Sequence, residues 1–93
     1  MQENVENIDN KFMKVLGEIV KSHRKKLKKS MYAISAESCI SKSTWREIEL
    51  GVCKDVKLKS LYKIAYGLNI SGSTLLNELE KNLGSNFIFS DFD

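Results

Sequence analysis

Apolar side chains recur every three or four residues through most of this 93-residue chain, and that spacing constrains the fold more than any other feature. Such a period places the side chains on one face of an α-helix, whereas a half-buried strand would alternate apolar and polar residues. Only Phe87–Phe89 offers a short strand-like alternative. The sequence therefore predicts an all-α chain. The first stripe consists of Phe12, Val15, Leu16, Ile19, Val20, His23 and Leu27.

Capping residues divide the chain into five predicted helices. Serine accepts hydrogen bonds from the first turn of a helix, whereas glycine and asparagine adopt the left-handed conformation that ends one. We expect a first helix that begins at Asp9 or Asn10 and ends in a run of lysines. The other four are a helix from the Ser30 cap to Ser38, one over 42–50 between Ser41 and Gly51, one marked by Leu58, Leu61, Ile64, Ala65 and Leu68 and ended by Asn69, and one from Ser71 to Gly84. This predicts an acidic extension over 1–10, a five-helix domain over 11–83 and an acidic aromatic tail over 84–93.

The composition argues against several classes of protein. Cys39 and Cys53 are too few for a disulfide framework, and with a single histidine, His23, they form no zinc-binding pattern. No apolar run approaches the roughly 20 residues that span a bilayer, and the N-terminus lacks the apolar stretch of a secretory signal. We therefore expect a cytoplasmic protein without metal or cofactor. No Cys–His or Ser–His–Asp arrangement is evident, so we expect no enzymatic activity.

The charges are unevenly distributed. Residues 11–76 contain 14 of the 15 lysines and arginines and only five acids, whereas residues 1–10 and 77–93 are acidic. A basic centre between acidic ends favours a polyanionic partner. A merely solvated basic surface is the alternative on charge alone.

The predicted third helix has two different faces. At 100° per residue, Trp45 and Ile48 fall on one side with Glu49 at the margin, whereas Ser43, Arg46, Glu47 and Leu50 fall opposite. Together with the preceding helix and the turn at Cys39-Ile40, it forms a predicted helix-turn-helix. This unit places its second helix in the major groove of DNA.

Several features of this stretch occur together in one known family. They are apolar Ile34, Ile40, Trp45 and Ile48, small Ser35, the E-x-G ending at Glu49 and Gly51, and an L-x-x-L-x-x-I-A-x-x-L-x-I-S run from residue 58. Over about residues 12–79 the chain resembles the Cro/C1-type helix-turn-helix proteins, the XRE family of bacterial and phage regulators. The matching stretches are LGEIVKSHRKK, YAISAESCISKSTWREIELG and LKSLYKIAYGLNIS. The resemblance implies a five-helix lambda-repressor-like fold and double-stranded DNA as partner.

The resemblance also implies roles for individual residues. The base-contacting positions correspond to Lys42, Ser43, Thr44, Arg46 and Glu47. Arginine can grip guanine with two hydrogen bonds, and glutamate can accept one from cytosine. Glu47 could instead pair with Ser43 or Arg46. The expected backbone contacts are Lys28, Lys29, Ser30, Met31, Lys54 and Lys57. Arg24 and Glu49 match an internal ion pair, although Arg24 could be another solvated base.

Four positions depart from the family pattern. Met31 replaces a common glutamine, Ser38 an apolar residue, Leu50 a frequent asparagine and Cys39 the usual glycine of the turn. Leu50 could touch a thymine methyl or pack under the following loop. Cys39 would have to tolerate a positive φ, and it could alternatively act as a redox sensor.

We expect a sequence-specific transcriptional regulator, a repressor or a phage or mobile-element control protein that works as a homodimer. The predicted dimer interface consists of Leu75, Leu76, Leu79, Leu83, Phe87 and Phe89. Alternatively, these leucines close the core of a single chain. A second functional class is a protein-binding module, such as an antitoxin or anti-repressor partner that binds through its C-terminal segment. Its DNA face would then be secondary.

Overall fold

Five helices form the described part of the chain. The structure is a computed structural model that describes the backbone of residues 2–84 and the side chains of residues 11–84. The helices are α1 (Gln2–Lys26), α2 (Met31–Ser38), α3 (Lys42–Leu50), α4 (Leu58–Gly67) and α5 (Gly72–Leu83). The all-α prediction is confirmed.

The first helix differs from its prediction at both ends. It begins at Gln2, so the predicted boundary at Asp9 or Asn10 is wrong and residues 2–10 belong to α1. Acidic residues near a helix N-terminus are favoured by the helix dipole, and Val5 and Ile8 continue the spacing of three and four residues that leads to Phe12. At the other end, α1 stops at Lys26, and Leu27 is exposed rather than part of the buried stripe.

The predicted caps occupy their expected positions. The side chains of Ser30, Ser41 and Ser71 accept hydrogen bonds from the backbone N–H groups of Ala33, Thr44 and Thr74. Gly51 ends α3 with a φ of 75°, and Asn69 follows α4 with a φ of 66°. These local signals explain why the boundaries of α2, α3 and α5 follow from the sequence.

One apolar core joins all five helices. Its fully buried side chains include Leu16, Val20, Ile34, Trp45, Ile48, Ile64 and Leu75. Leu58 is one of the apolar residues that mark α4 in the sequence, but 65% of its surface is exposed. It is the first residue of α4, where the neighbouring helices do not cover it.

Helix α1 supports both α3 and α5. The backbones of α1 and α3 meet at Gly17, where a Cβ atom would lie 2.8 Å from the carbonyl oxygen of Glu49. On another side of α1, His23 Nε2 donates to the two carboxylate oxygens of Glu78 in α5, at 2.9 and 3.1 Å. Helix α1 therefore contacts α3 at Gly17 and α5 through His23.

Candidate nucleic-acid interface

The two faces of α3 have opposite environments. Trp45 and Ile48 are buried in the core, whereas Lys42, Ser43, Thr44, Arg46 and Glu47 are exposed. The outward surface of α3 is therefore left open by the described residues. All five predicted base-contacting side chains lie on this one short helix.

Arg46 and Glu47 have no partner on that surface among the side chains that the structure describes. Within residues 11–84, neither side chain has a hydrogen bond or an ion-pair partner, so the alternative pairing of Glu47 with Ser43 or Arg46 is not present. Thr44 differs, because its hydroxyl accepts a hydrogen bond from the capping Ser41 at 2.8 Å. The two charged groups are free to meet a ligand, whereas the Thr44 hydroxyl is already engaged.

A buried carboxylate holds α3 from behind. Glu49 accepts from Arg24 Nε at 2.5 Å and Nη2 at 3.0 Å, and also from the Trp45 indole N–H at 2.6 Å. Arg24 further donates to the Lys29 carbonyl at 2.8 Å. The hydrogen bonds to Glu49 raise the pKa of Arg24 above its ordinary value, since they stabilise the charged guanidinium.

The structure thus contains the ion pair between Arg24 and Glu49 that the resemblance implied. Arg24 is therefore not simply another solvated base, which was the alternative. The indole contact was missed by sequence reasoning. Its signal was available in the four-residue spacing of Trp45 and Glu49, which places them as neighbours on one helix. Trp45 and Arg24 both donate to the carboxylate of Glu49. The end of α3 is therefore held both by the buried indole and by the end of α1.

The predicted phosphate-contacting residues flank α3. Lys28, Ser30, Lys54 and Lys57 are exposed, whereas Met31 is half-buried and packs against the core. Lys29 donates to Glu37 Oε1 at 2.5 Å, an exposed pair that sequence reasoning missed. Glu37 therefore competes with any phosphate for the Lys29 ammonium group.

Apolar side chains adjoin the open face of α3. Leu50 is 54% exposed, so it does not pack under the loop that follows, and Val52 is also exposed. The Val52 N–H donates to the Glu47 carbonyl at 3.1 Å, which keeps this residue beside the end of α3. Leu50 and Val52 therefore offer an apolar contact surface next to Arg46 and Glu47.

The turn before α3 contains the predicted strained residue. Cys39 has a φ of 58° and is exposed. Its thiol has no disulfide partner among the described residues, and Cys53 Sγ donates to the Asp55 carbonyl at 3.2 Å. Within residues 11–84, no three His, Cys, Asp or Glu side chains gather as a metal site would require. The described helices also include none with the length and hydropathy of a membrane span.

The predicted dimer residues are mostly inside a single chain. Leu75, Leu79 and Leu83 are buried in the core, and Leu76 is half-buried. The first three have almost no surface left for a second chain. Phe87 and Phe89 lie outside the described residues. The dimer interface stays a prediction, with Leu76 as its only described leucine that retains appreciable surface.

The chain is similar in fold to a gene regulator. No protein-family model matches the sequence, and no curated protein is detectably similar to it. The crystal structure of the clp gene regulator ClgR from C. glutamicum matches with a TM-score of 0.69 and 21% sequence identity. The match covers 81% of this chain and 96% of that chain. At this identity the similarity shows a shared helical fold.

Proposed function

We propose that this chain is a cytoplasmic DNA-binding transcriptional regulator of the Cro/C1-type (XRE) family that reads the major groove with α3. The observation that carries the proposal is the open outer face of α3, which presents Arg46 without a partner among the described side chains, while Trp45 and Ile48 anchor the inner face. An α-helix fits the major groove of B-DNA, where base pairs present distinct patterns of donors and acceptors. The fold of ClgR, which is described as a gene regulator, supports the same class of function.

Arg46 and Glu47 carry the sequence preference in this proposal. Arg46 can donate two parallel hydrogen bonds to O6 and N7 of guanine, a contact that contributes about 1–3 kcal/mol of discrimination. Glu47 repels phosphates but can accept from the amino group of cytosine. Lys42 and Ser43 complete the exposed surface at the first turn, and Thr44 would contact DNA while keeping its bond to Ser41.

The flanking groups would hold the DNA backbone. The N-terminus of α2 presents backbone N–H groups near Ser30 and Met31, and Lys28, Lys54 and Lys57 are exposed in the adjoining loops. Helix N-termini and lysines bind phosphates and set the register of the protein on the duplex. Lys29 contributes less than the other lysines in this proposal, because Glu37 already pairs with it.

A homodimer would strengthen binding. One short recognition helix contacts few base pairs, and helix-turn-helix proteins commonly pair across a two-fold axis on palindromic sites. A repressor or a phage or mobile-element control protein is the regulatory role that we propose. Leu75, Leu79 and Leu83 are buried within one chain. The dimer interface would therefore consist of other residues.

Selection of bound fragments from random duplex DNA tests the proposal. We expect a short palindromic motif, with affinity that falls steeply as salt concentration rises, because neutralised phosphates release counterions. Arg46→Ala should remove the preference at one base position in each half-site. Lys81→Ala is the matched control, since Lys81 is exposed on α5 and should leave the motif unchanged. The absence of enrichment at any salt concentration would reject the proposal.

A protein-binding module is the second candidate, and one observation favours it. Three large apolar or aromatic side chains, Leu58, Tyr62 and Tyr66, are exposed along α4, and none of them belongs to the predicted DNA-contacting set. Exposed apolar patches of this kind mark interaction sites. A module of this class, such as an antitoxin, would show little DNA binding at any salt concentration.

A further inference from the structure

Two apolar side chains remain exposed where α3 ends. Leu50, the last residue of α3, is 54% exposed, and Val52 is 63% exposed. The loop that follows does send apolar side chains inward, because Cys53 and Val56 pack against the core. Leu50 and Val52 are not among the side chains that pack there. The apolar surface at the end of α3 is therefore available to a ligand of the folded protein.

A hydrogen-bonded turn fixes the position of Val52, although this residue lies outside α3. Gly51 has a φ of 75°, and its N–H donates to the Ile48 carbonyl at 3.1 Å. The Val52 N–H donates to the Glu47 carbonyl, also at 3.1 Å. This pair of bonds is the Schellman motif, in which an apolar contact commonly joins the two residues that correspond to Val52 and Glu47. Here the helical position holds a glutamate, so Val52 has no apolar partner at its usual place and stays exposed beside Glu47.

Leu50 belongs to the same surface. It follows Glu47 by three residues and Arg46 by four, and residues at these spacings are neighbours on a helix. The apolar pair of Leu50 and Val52 therefore adjoins the two charged groups that we assign to base contacts. Sequence reasoning included Leu50 but not Val52, which follows the helix and has no place in its periodicity.

The major groove of duplex DNA offers a matching apolar group. Base edges there carry hydrogen-bond donors and acceptors, and the apolar group that projects from them is the methyl at C5 of a pyrimidine. Thymine carries this methyl in ordinary DNA, and 5-methylcytosine carries it in methylated DNA. The side chains of leucine and valine form no hydrogen bonds, so a methyl group is the base feature that they can recognise. Glu47, by contrast, suits the amino group of a cytosine.

We propose that Val52, together with Leu50, determines sequence specificity by packing against the C5 methyl of a pyrimidine. The proposal rests on the proposed DNA-binding function. It extends the base-reading surface beyond α3 to a residue of the following loop. The Schellman turn holds Val52 next to Glu47, so the methyl group lies in the base pair that Glu47 contacts or in the next one.

Methyl substitution in the selected DNA tests the proposal with the full chain. The motif selected by the unsubstituted protein is synthesised with each thymidine replaced in turn by deoxyuridine, which removes only the methyl. A second series replaces each deoxycytidine by 5-methyldeoxycytidine, which adds only a methyl. Dissociation constants are measured by fluorescence anisotropy for the unsubstituted protein and for Val52→Ala. The first series detects a thymine methyl, and the second detects the methyl of 5-methylcytosine.

Val52→Ala should lose the response to one methyl group alone. Burial of one methyl changes the dissociation constant roughly four-fold, so the unsubstituted protein should respond by about this factor at one position of one series. Val52→Ala should respond by less than about two-fold at that position, because only Leu50 remains to cover the methyl. At all other positions it should match the unsubstituted protein. Leu58→Ala removes an exposed leucine from α4 and should retain every response.

The outcomes distinguish this proposal from the proposed function. If a motif is selected but Val52→Ala matches the unsubstituted protein at every position of both series, the Val52 contact is overturned and DNA binding stands. A uniform loss of affinity across all duplexes would also overturn it, because such a loss does not depend on methyl groups. If no fragment is enriched at any salt concentration, the proposed function fails and this inference fails with it.

Discussion

The carboxylate of Glu49 receives two hydrogen bonds from the guanidinium of Arg24, which comes from a different helix. Only 2% of the Glu49 side chain is exposed, compared with 11% for Arg24. This pair ties the end of α1 to the end of α3, so the support of the proposed recognition helix depends on it.

Arg24→Ala should destabilise the fold strongly. It leaves the Glu49 carboxylate buried without its cation, and the loss of one partner of a buried pair costs about 3–5 kcal/mol. Urea unfolding followed by circular dichroism measures the change in the free energy of unfolding. Lys25→Ala is the control, because Lys25 is exposed one residue further along α1 and should change stability by less than about 0.5 kcal/mol. Equal effects of the two substitutions would contradict the structural role of the pair.

Ser38→Ala should stabilise the protein. The Ser38 hydroxyl is buried beside Gly67 and has no hydrogen-bond partner among the described residues. An unsatisfied buried hydroxyl costs about 1–3 kcal/mol, so we expect a gain of about 1 kcal/mol when it is removed.

Ser35→Ala provides a matched comparison from the same helix. Ser35 is also buried, but its hydroxyl donates to the Tyr32 carbonyl at 3.0 Å. The Ser38 substitution should therefore raise the urea midpoint relative to the Ser35 substitution. The opposite order would show that the Ser38 hydroxyl is satisfied in solution.

Cys39→Gly should also stabilise the protein. Cys39 has a φ of 58°, a conformation that costs about 1–2 kcal/mol for residues with a Cβ atom. Glycine also gives the unfolded chain more conformational freedom, which reduces this stabilisation. The net increase in the free energy of unfolding should be about 0.5–1 kcal/mol. Cys39→Ala keeps the Cβ atom and should give no comparable increase in melting temperature. If the unsubstituted protein, which keeps the thiol, has the same DNA affinity under oxidising and reducing conditions, a redox role for Cys39 is excluded.

Leu50→Ala should weaken binding to DNA that presents a thymine methyl group to Leu50. Burial of one methyl contributes about 0.8 kcal/mol, or roughly a four-fold change in dissociation constant. Replacing that thymidine by deoxyuridine in the selected sequence should produce the same loss, and the two changes together should not add. Leu58→Ala removes another exposed leucine, from α4, and serves as the control. Additive losses would place Leu50 away from the methyl.

Gly17→Ala should impair both folding and DNA binding. Its new methyl group would fall within contact distance of the carbonyl oxygens of Ile48 and Glu49, so α3 would have to move. Overpacking of this kind costs about 1–3 kcal/mol. Glu18→Ala, at the adjacent exposed position, should leave the urea midpoint and the DNA affinity nearly unchanged.

Local signals in the sequence predicted much of the fold. Each of Ser30, Ser41 and Ser71 forms its cap through its own next residues, so the cap is readable without tertiary information. The buried and exposed faces of α3 could likewise be predicted from the spacing of residues within that helix alone. The positive φ of Cys39 followed only through the family resemblance, since an isolated cysteine does not signal it.

Other features depend on how helices pack, which periodicity does not define. Leu58 and Leu75 are both apolar positions of amphipathic helices, yet the first is exposed and the second is fully buried. The pairing of Lys29 with Glu37 joins the loop before α2 to α2 itself, eight residues further along the chain. The start of α1 was missed because Asp9 and Asn10 are residue types that commonly cap a helix, although Val5 and Ile8 continue the spacing of three and four residues.

The Trp45 indole that donates to Glu49 gives the molecule an intrinsic optical probe. Trp45 is the only tryptophan in the chain, and its side chain is completely buried behind the exposed face of α3. Its fluorescence therefore reports whether α3 is seated against α1, without any added dye. Because the indole is shielded from the outer surface, DNA that binds there without displacing α3 should leave this emission nearly constant, whereas separation of α3 from its support should shift the emission to longer wavelength.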